Sequence, residues 1–312
     1  MSRPPTEPRH AAGAAVISAL LVVALAAATA SFLLVRSERW IDRVAIARDK
    51  AQAFELARAG LDYARAVLAA DAAGSAVDAL DEDWARVLPP LRHEQAEVAG
   101  RIADVHGRFN LNNLRRTNGV IDEQALTAYR RLLANVGLGE ELADTLADRL
   151  DADDSPRAAG AEQAWYRQQG EHAASLGQPL EHLGNLARLK GYTPHAIARL
   201  REFVCVLPGQ QPVNLNTARP EVLAALQPGL DLAAARALAR SRQGSHFRDL
   251  ADYQARLGDG NWPAPLLPVG TTSRHFVVDV EVSSGRARSH LTALVQRLGD
   301  GQRSRILWQT LL

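Results

Sequence analysis

Between Asp148 and Glu162 the chain reads DRLDADDSPRAAGAE, the densest run of residues able to do chemistry. Counted from Asp151, side-chain oxygens fall at positions one, three and five (Asp151, Asp153, Ser155), with Glu162 at position twelve. That is the spacing of a twelve-residue calcium loop, because a hard cation is held by clustered oxygen donors. Pro156 stands where such a loop turns on glycine, and flanking helices of that motif are not evident, which argues against an EF-hand. Spacing alone leaves two readings: calcium in an irregular loop, or a solvated acidic turn at a helix end.

Other reactive constellations do not assemble. The nine histidines form no HExxH pair, and no GxSxG, P-loop or dinucleotide fingerprint occurs. His246 and His290 read as structural residues in packed segments. The single cysteine, Cys205, sits in the apolar run FVCVL and reads as a small buried hydrophobe. With 36 basic and 35 acidic residues the net charge is +1, so no global field steers the chain toward nucleic acid. The sequence is read as non-enzymatic.

A second pattern repeats. FNLNNL at 109–114 and VNLNTA at 213–218 each place Asn-Leu-Asn between an extended and a helical stretch. Asparagine bonds nearby backbone and tolerates turn conformations. Asn110, Asn112, Asn214 and Asn216 are therefore expected to build turns, with the intervening leucine pointing inward. No nucleophile or base accompanies them, and Pro220 suits the first turn of the following helix.

The elements that must position these residues begin with 25 uncharged residues, Ala11 to Val35, preceded by Arg3 and Arg9. The run exceeds the roughly 20 residues that span a bilayer, and the leading positive charge favours a cytoplasmic amino terminus. Three readings compete: a secretory signal cut after ATA (residues 28–30), an uncleaved anchor, or a pilin-like leader cut after Gly13, which leaves Ala14 as the new terminus. FLLV continues the apolar run past the signal-peptidase site. Trp40, Val44, Ala47, Ala51, Phe54, Leu61 and Leu68 then recur at near-heptad spacing. One helix from Ala14 to about residue 69 is expected, roughly 80 Å long at 1.5 Å per residue. Gly60 interrupts it.

Residues 94–104 alternate as a strand, as do Phe276, Val278, Val280 and Val282, then Leu291, Ala293 and Val295. RILWQTLL offers a further strand, and Gly285 and the GDG at 299–301 supply turns. Residues 115–265, between the strand groups, are rich in Ala, Leu and Arg and read as helices. The expected fold is α+β: a pilin-like long amino-terminal helix packed on a small antiparallel sheet, with a large all-helical inserted domain. The expected boundaries are a leader at 1–13, a membrane part at 14–35, an amphipathic continuation at 36–70, the head at 71–114 and 266–312, and the insertion at 115–265.

Within the insertion, VNLNTARPEVLAALQPGLDLAAARALARSRQGSHFRDLADY resembles helix-hairpin-helix domains, which bind phosphates at a glycine hairpin. A membrane-anchored DNA-binding protein of the uptake type is therefore the alternative function. Asp231 stands where a second glycine is expected and places negative charge there, so nucleic acid is the disfavoured partner.

The leader ending in Gly13, the long helix, GRFNLNNL, the acidic stretch followed by GAEQAWY, and PVNLNTARPEVLAAL, in that order, resemble the K-type minor pseudopilins of bacterial type II secretion. The resemblance covers nearly the whole chain. It implies cleavage after Gly13 by a prepilin peptidase, methylation at Ala14, and a single-pass inner-membrane anchor with a periplasmic head. It implies partners among pseudopilus subunits, above all the I- and J-type minor pseudopilins, in a tip complex that initiates or caps the pseudopilus. The bulky insertion would stop another subunit stacking above. Ser18, fifth after the cut, replaces the Glu usual in pilins, as in the family. Ser18, Trp40, Val44 and Phe54 are the candidate assembly residues. No small-molecule substrate is implied. The family binds calcium in its helical domain, and Asp148, Asp151, Asp153 and Glu162 match its acidic pattern. With Asp154 from the same run they form the candidate metal set. Gln163 departs from the pattern, where an acid is usual.

Overall fold

The computed structural model describes residues 10–87, 90–93, 95–169, 177–258, 260–299 and 301–312. The first nine leader residues and Glu94, at the start of an expected strand, lie outside them. In chain order the elements are α1 (His10–Gly74), β1 (Leu91–His93), β2 (Ala96–Asp104), β3 (Phe109–Asn110), α2 (Glu123–Asn135), α3 (Glu141–Leu150) and α4 (Gln163–Gln168). Then follow α5 (Pro194–Leu200), β4 (Val204–Cys205), β5 (Val213–Asn214), α6 (Pro220–Leu226), α7 (Leu232–Ser241), α8 (Leu250–Arg256), β6 (Val269–Gly270), β7 (His275–Ser284), β8 (Ala287–Leu298) and β9 (Arg303–Leu311).

α1 runs unbroken for 65 residues, about 97 Å at 1.5 Å per residue. Its first half stands clear of the head: Val16, Leu21, Phe32 and Trp40 are all more than half exposed. From Ala53 a stripe at spacings of three and four (Ala53, Ala57, Leu61, Ala64, Leu68) is buried on the sheet. The near-heptad stripe expected from sequence therefore divides. Leu61 and Leu68 face the sheet, whereas Trp40, Val44, Ala47, Ala51 and Phe54 face outward. Close approach selects small side chains on the buried face, so following the bulky ones picked the other. Gly60 does not break the helix. A Cβ there would lie 2.7 Å from Val280 Cγ1, so glycine lets the helix rest on the sheet.

Five strands form an antiparallel sheet in the order β1-β2-β7-β8-β9. Phe276, Val278, Val280, Val282, Leu291, Ala293 and Val295 are buried against α1, and the alternation puts all of them on one face. Trp84 meets Phe276 edge to face at 5.3 Å and closes the end of this core.

A second core runs from Phe109 to Leu267. It takes in Phe109, Leu111, Leu114 and Leu267, so the inserted domain packs slightly beyond both ends of 115–265. It is not purely helical. Two two-residue parallel pairings, β3 with β4 and β5 with β6, sit at its base. Four of its helices, α2, α5, α7 and α8, start where side chains cap them. Asp122 accepts from Gln124 and Ala125 N–H groups, Thr193 precedes Pro194 and caps α5, and Asp231 and Asp249 cap α7 and α8.

A buried polar seam joins the two cores. Ser273 Oγ donates to Asp104 Oδ2 at 2.7 Å, Thr217 Oγ1 donates to the same oxygen, and Asn214 Nδ2 donates to Ser273 Oγ at 2.8 Å and to the Asp78 carbonyl at 2.9 Å. Arg297 on β8 lies 2.9 Å from Asp71 of α1 and 2.7 Å from Asp78, with its guanidinium 4.4 Å above the Phe276 ring. Burial pushes both Asp71 and Asp78 up to about 6, against the pull of Arg297.

Candidate functional site

Asp148 lies in the last turn of α3, Asp151 just past its end, and Glu162 just before α4. One oxygen of each comes within 4.8 Å of the others, and all three side chains are buried. Asp151 Oδ1 and both Glu162 oxygens are buried and find no hydrogen-bond donor among the described residues. Such atoms are costly unless a cation or proton compensates them. Burial, then the neighbouring acids Asp153 and Asp148, push Asp151 up to about 6. Burial, then Asp151, Asp148, Asp154 and Asp153, push Glu162 up to about 7. Asp148 is raised by burial, although the Arg157 backbone N–H pulls the other way, donating to its two oxygens at 3.3 and 3.1 Å.

Two of the five candidate metal residues stand apart from this trio. Asp153 and Asp154 are exposed, and Asp153 Oδ1 instead accepts the Ser155 N–H at 2.9 Å, closing a turn. A loop-spacing count gave weight to Asp153, whereas the grouping follows helix geometry: Asp148 and Asp151 are i and i+3 on one face of α3 and its exit. Gln163 is exposed as the first residue of α4. Sequence reasoning missed Gly160, where a Cβ would collide with the Asp148 carboxylate. It also missed Lys190, whose Nζ donates to the Ala159 and Gly160 carbonyls at 3.2 and 3.0 Å and fixes the loop over the trio.

Both Asn-Leu-Asn segments use one device. The first asparagine accepts the N–H of the second: Asn110 Oδ1 from Asn112 at 3.2 Å, and Asn214 Oδ1 from Asn216 at 2.9 Å. The second asparagine pairs in both directions with a distant backbone. Asn112 takes the Leu180 N–H at 2.8 Å and gives to its carbonyl at 3.0 Å. Asn216 does the same to Phe247 at 2.7 and 2.9 Å. Leu111 and Leu215 point into the helical core. The first bond is the local turn expected. The second is a long-range clasp that no local rule reveals.

The hairpin between α6 and α7 is present, with Gly229 at φ +82°. Asp231 Oδ1 accepts the Ala234 N–H at 2.7 Å, so the helix start that a phosphate would approach already holds a carboxylate. Arg242 is half-buried, donating to the Leu215 and Ala218 carbonyls. Arg236 and Arg248 lie near Glu221 and Asp252. Cys205 is buried and pushed up to about 12 by burial. His290 and His246 are not packed: they lie partly exposed near Asp279 and Asp81.

Gly13, Ala14 and Ser18 lie on the first turns of α1. Trp40, Val44 and Phe54 are 66, 48 and 40% exposed on its outer face, leaving an apolar surface for another chain. α1 is the one described helix long and apolar enough to cross a membrane.

The profile of the family described as Type II secretion system (T2SS), protein K, matches residues 107–209 and 213–264, segments that begin near the two Asn-Leu-Asn turns. Type II secretion system protein K of Pseudomonas aeruginosa is 33% identical over 93% of this chain and 90% of its own. That of Klebsiella pneumoniae is 30% identical over 92% and 93%. The fold is also that of a chain in the crystal structure of the GspK-GspI-GspJ complex from enterotoxigenic Escherichia coli, with a TM-score of 0.71 over 84% of this chain at 21% identity. From the acidic loop to the asparagine clasps, these similarities span most of what has been described, and the chain belongs to the type II secretion system protein K family.

Proposed function

We propose that this protein is a non-enzymatic minor pseudopilin that joins I- and J-type partners in the tip complex of the pseudopilus, initiating or capping its assembly. The observation that carries the reading is the two-faced α1: small residues bind it to its own head, while an exposed apolar face extends from Val16 past Val44. The fold shared with a chain of the GspK-GspI-GspJ complex supports the same partners. α1 anchors the chain in the inner membrane with its amino terminus cytoplasmic and its head periplasmic, as the leading arginines favour. A prepilin peptidase removes residues 1–13, and Ala14 is methylated. The test is co-expression of the full chain with I- and J-type pseudopilins, with and without prepilin peptidase. Co-purification of all three, with an intact mass starting at methylated Ala14 only when the peptidase is present, is expected. A start at Ser31 would overturn the reading.

Asp148, Asp151 and Glu162 hold calcium in this proposal. The donors fit: three buried carboxylates, with unpartnered oxygens on Asp151 and Glu162, suit a hard oxygen-seeking cation. Bound calcium supplies structural charge compensation, tying the end of α3 to the start of α4. Calcium is expected to raise the thermal midpoint of the full chain in detergent, and Glu162→Ala to remove most of that rise. No heat on calorimetric titration and an unmoved midpoint in millimolar calcium would reject the site.

A further inference from the structure

One side chain beside the acidic trio has no part in holding a cation. The Arg157 backbone N–H anchors the residue to Asp148, and its guanidinium reaches outward, the terminal nitrogen donating to Glu123 Oε1 of α2 at 2.8 Å. Its Nε stops 3.8 Å from Asp148 Oδ1, buried and without a hydrogen-bond partner among the described residues. The guanidinium is thus held near a fully buried carboxylate without bonding to it, and its tip is restrained by an exposed one.

A second acidic group shows the other extreme. Asp71, Asp78 and Glu82 also bring three carboxylates within 4.8 Å, but Arg297 lies against two of them at 2.7–2.9 Å. There a fixed cation takes the place a metal would have. At the trio near Arg157 the nearest guanidinium is withheld, and Lys190, the other cation close by, is engaged with backbone carbonyls and the Trp165 ring.

We infer that Arg157 is a built-in electrostatic competitor that sets the calcium concentration at which the Asp148–Asp151–Glu162 site fills, with Glu123 holding it partly off. In the metal-free chain its charge offsets part of the trio's repulsion. Against an arriving divalent cation the same charge is repulsive, because the surroundings are partly dry and like charges are poorly screened. Glu123 neutralises the guanidinium and draws it away from Asp148, which favours the metal. The inference rests on the calcium reading.

The test is calorimetric titration of calcium into the full chain in detergent, alongside thermal midpoints in chelator. Arg157→Gln is expected to lower the dissociation constant about tenfold, about 1.4 kcal/mol, while lowering the midpoint in chelator. Arg157→Lys, which keeps the charge, is expected to stay within about threefold of the parent. Glu123→Gln is expected to weaken binding about threefold, an effect that vanishes in the double variant with Arg157→Gln. Parent binding with no tightening in Arg157→Gln overturns this inference and leaves calcium standing. If Arg157→Gln does not fold, Glu123→Gln decides: unchanged or tighter binding overturns it. No heat from the parent or any variant overturns both readings.

Discussion

His106 Nε2 and His275 Nδ1 stand 2.9 Å apart with their rings stacked and buried, one on the loop after β2 and the other opening β7. The Pro212 carbonyl, 3.0 Å from His106 Nδ1, can only accept, so His106 donates there, and in the neutral ring its Nε2 accepts from His275. His275 Nε2 is then a bare, buried acceptor with no partner among the described residues. Protonating it adds charge where no water reaches. Burial first, then His106, Arg274 and Arg305, hold His275 down at about 4.

This gives a pH dependence with a definite sign. The unfolded chain takes up the His275 proton near 6.5 and the folded one only near 4. The stability is complete above 6.5 and is lost as pH falls toward 4, by on the order of 3 kcal/mol at the limit. Denaturant titrations at pH 7.0 and 4.5 check it: His275→Asn should flatten the acid-side fall relative to the parent. An equal fall in both would assign the acid sensitivity to other groups.

The asparagine clasps make a mutational prediction. Asn112→Ala strands the buried N–H and carbonyl of Leu180 together with the Leu207 carbonyl. A loss of about 3 kcal/mol in urea unfolding is expected, since each orphaned group costs about 1–3 kcal/mol and the losses overlap. Asn118→Ala, on an exposed turn, should cost under about 0.5 kcal/mol.

Gly60 tests the seating of α1. Ala at this position gains helix propensity but drives a methyl into Val280. A net loss of about 1–2 kcal/mol is expected from overpacking. Combining Gly60→Ala with Val280→Ala should cost clearly less than the sum of the two single changes. Additive losses would mean that the helix relaxes away without feeling the strand.

The outward face of α1 makes the assembly prediction. Trp40→Asp with Val44→Asp should abolish co-purification with the proposed I- and J-type partners, leaving the melting of the head unchanged because both side chains are exposed. Retained co-purification would move the contact elsewhere on the chain.

The long helix and strands β7 and β8 could be read from sequence because each carries a sustained pattern, whereas Ile306, Leu307 and Trp308 of β9 are consecutive and give no alternation. Phe276, Val278, Val280 and Val282 share one face, with only Val277 apolar between them, and Ala11 to Val35 has no charge. Two residues of β3 or β5 give no period to detect, and their parallel partners lie 95 and 56 positions away. The acidic site could be half read. Its members come from two helix ends, so counting along a loop weighted Asp153, while the i, i+3 relation on α3 selects Asp148 and Asp151. Gly160 was visible as a residue but not as the space that the Asp148 carboxylate fills.

The ends of the helical domain leave the sheet from adjacent strands: Asp104, last in β2, pairs with Phe276, second in β7. Topologically the whole insertion is a hairpin turn grown to the size of a domain. Its entry and exit are fixed side by side by ladder hydrogen bonds, whatever lies between. Away from the seam that Asn214 and Thr217 make with Asp78 and Asp104, such a graft lets the insertion change in bulk or surface charge without asking the sheet or α1 to change with it.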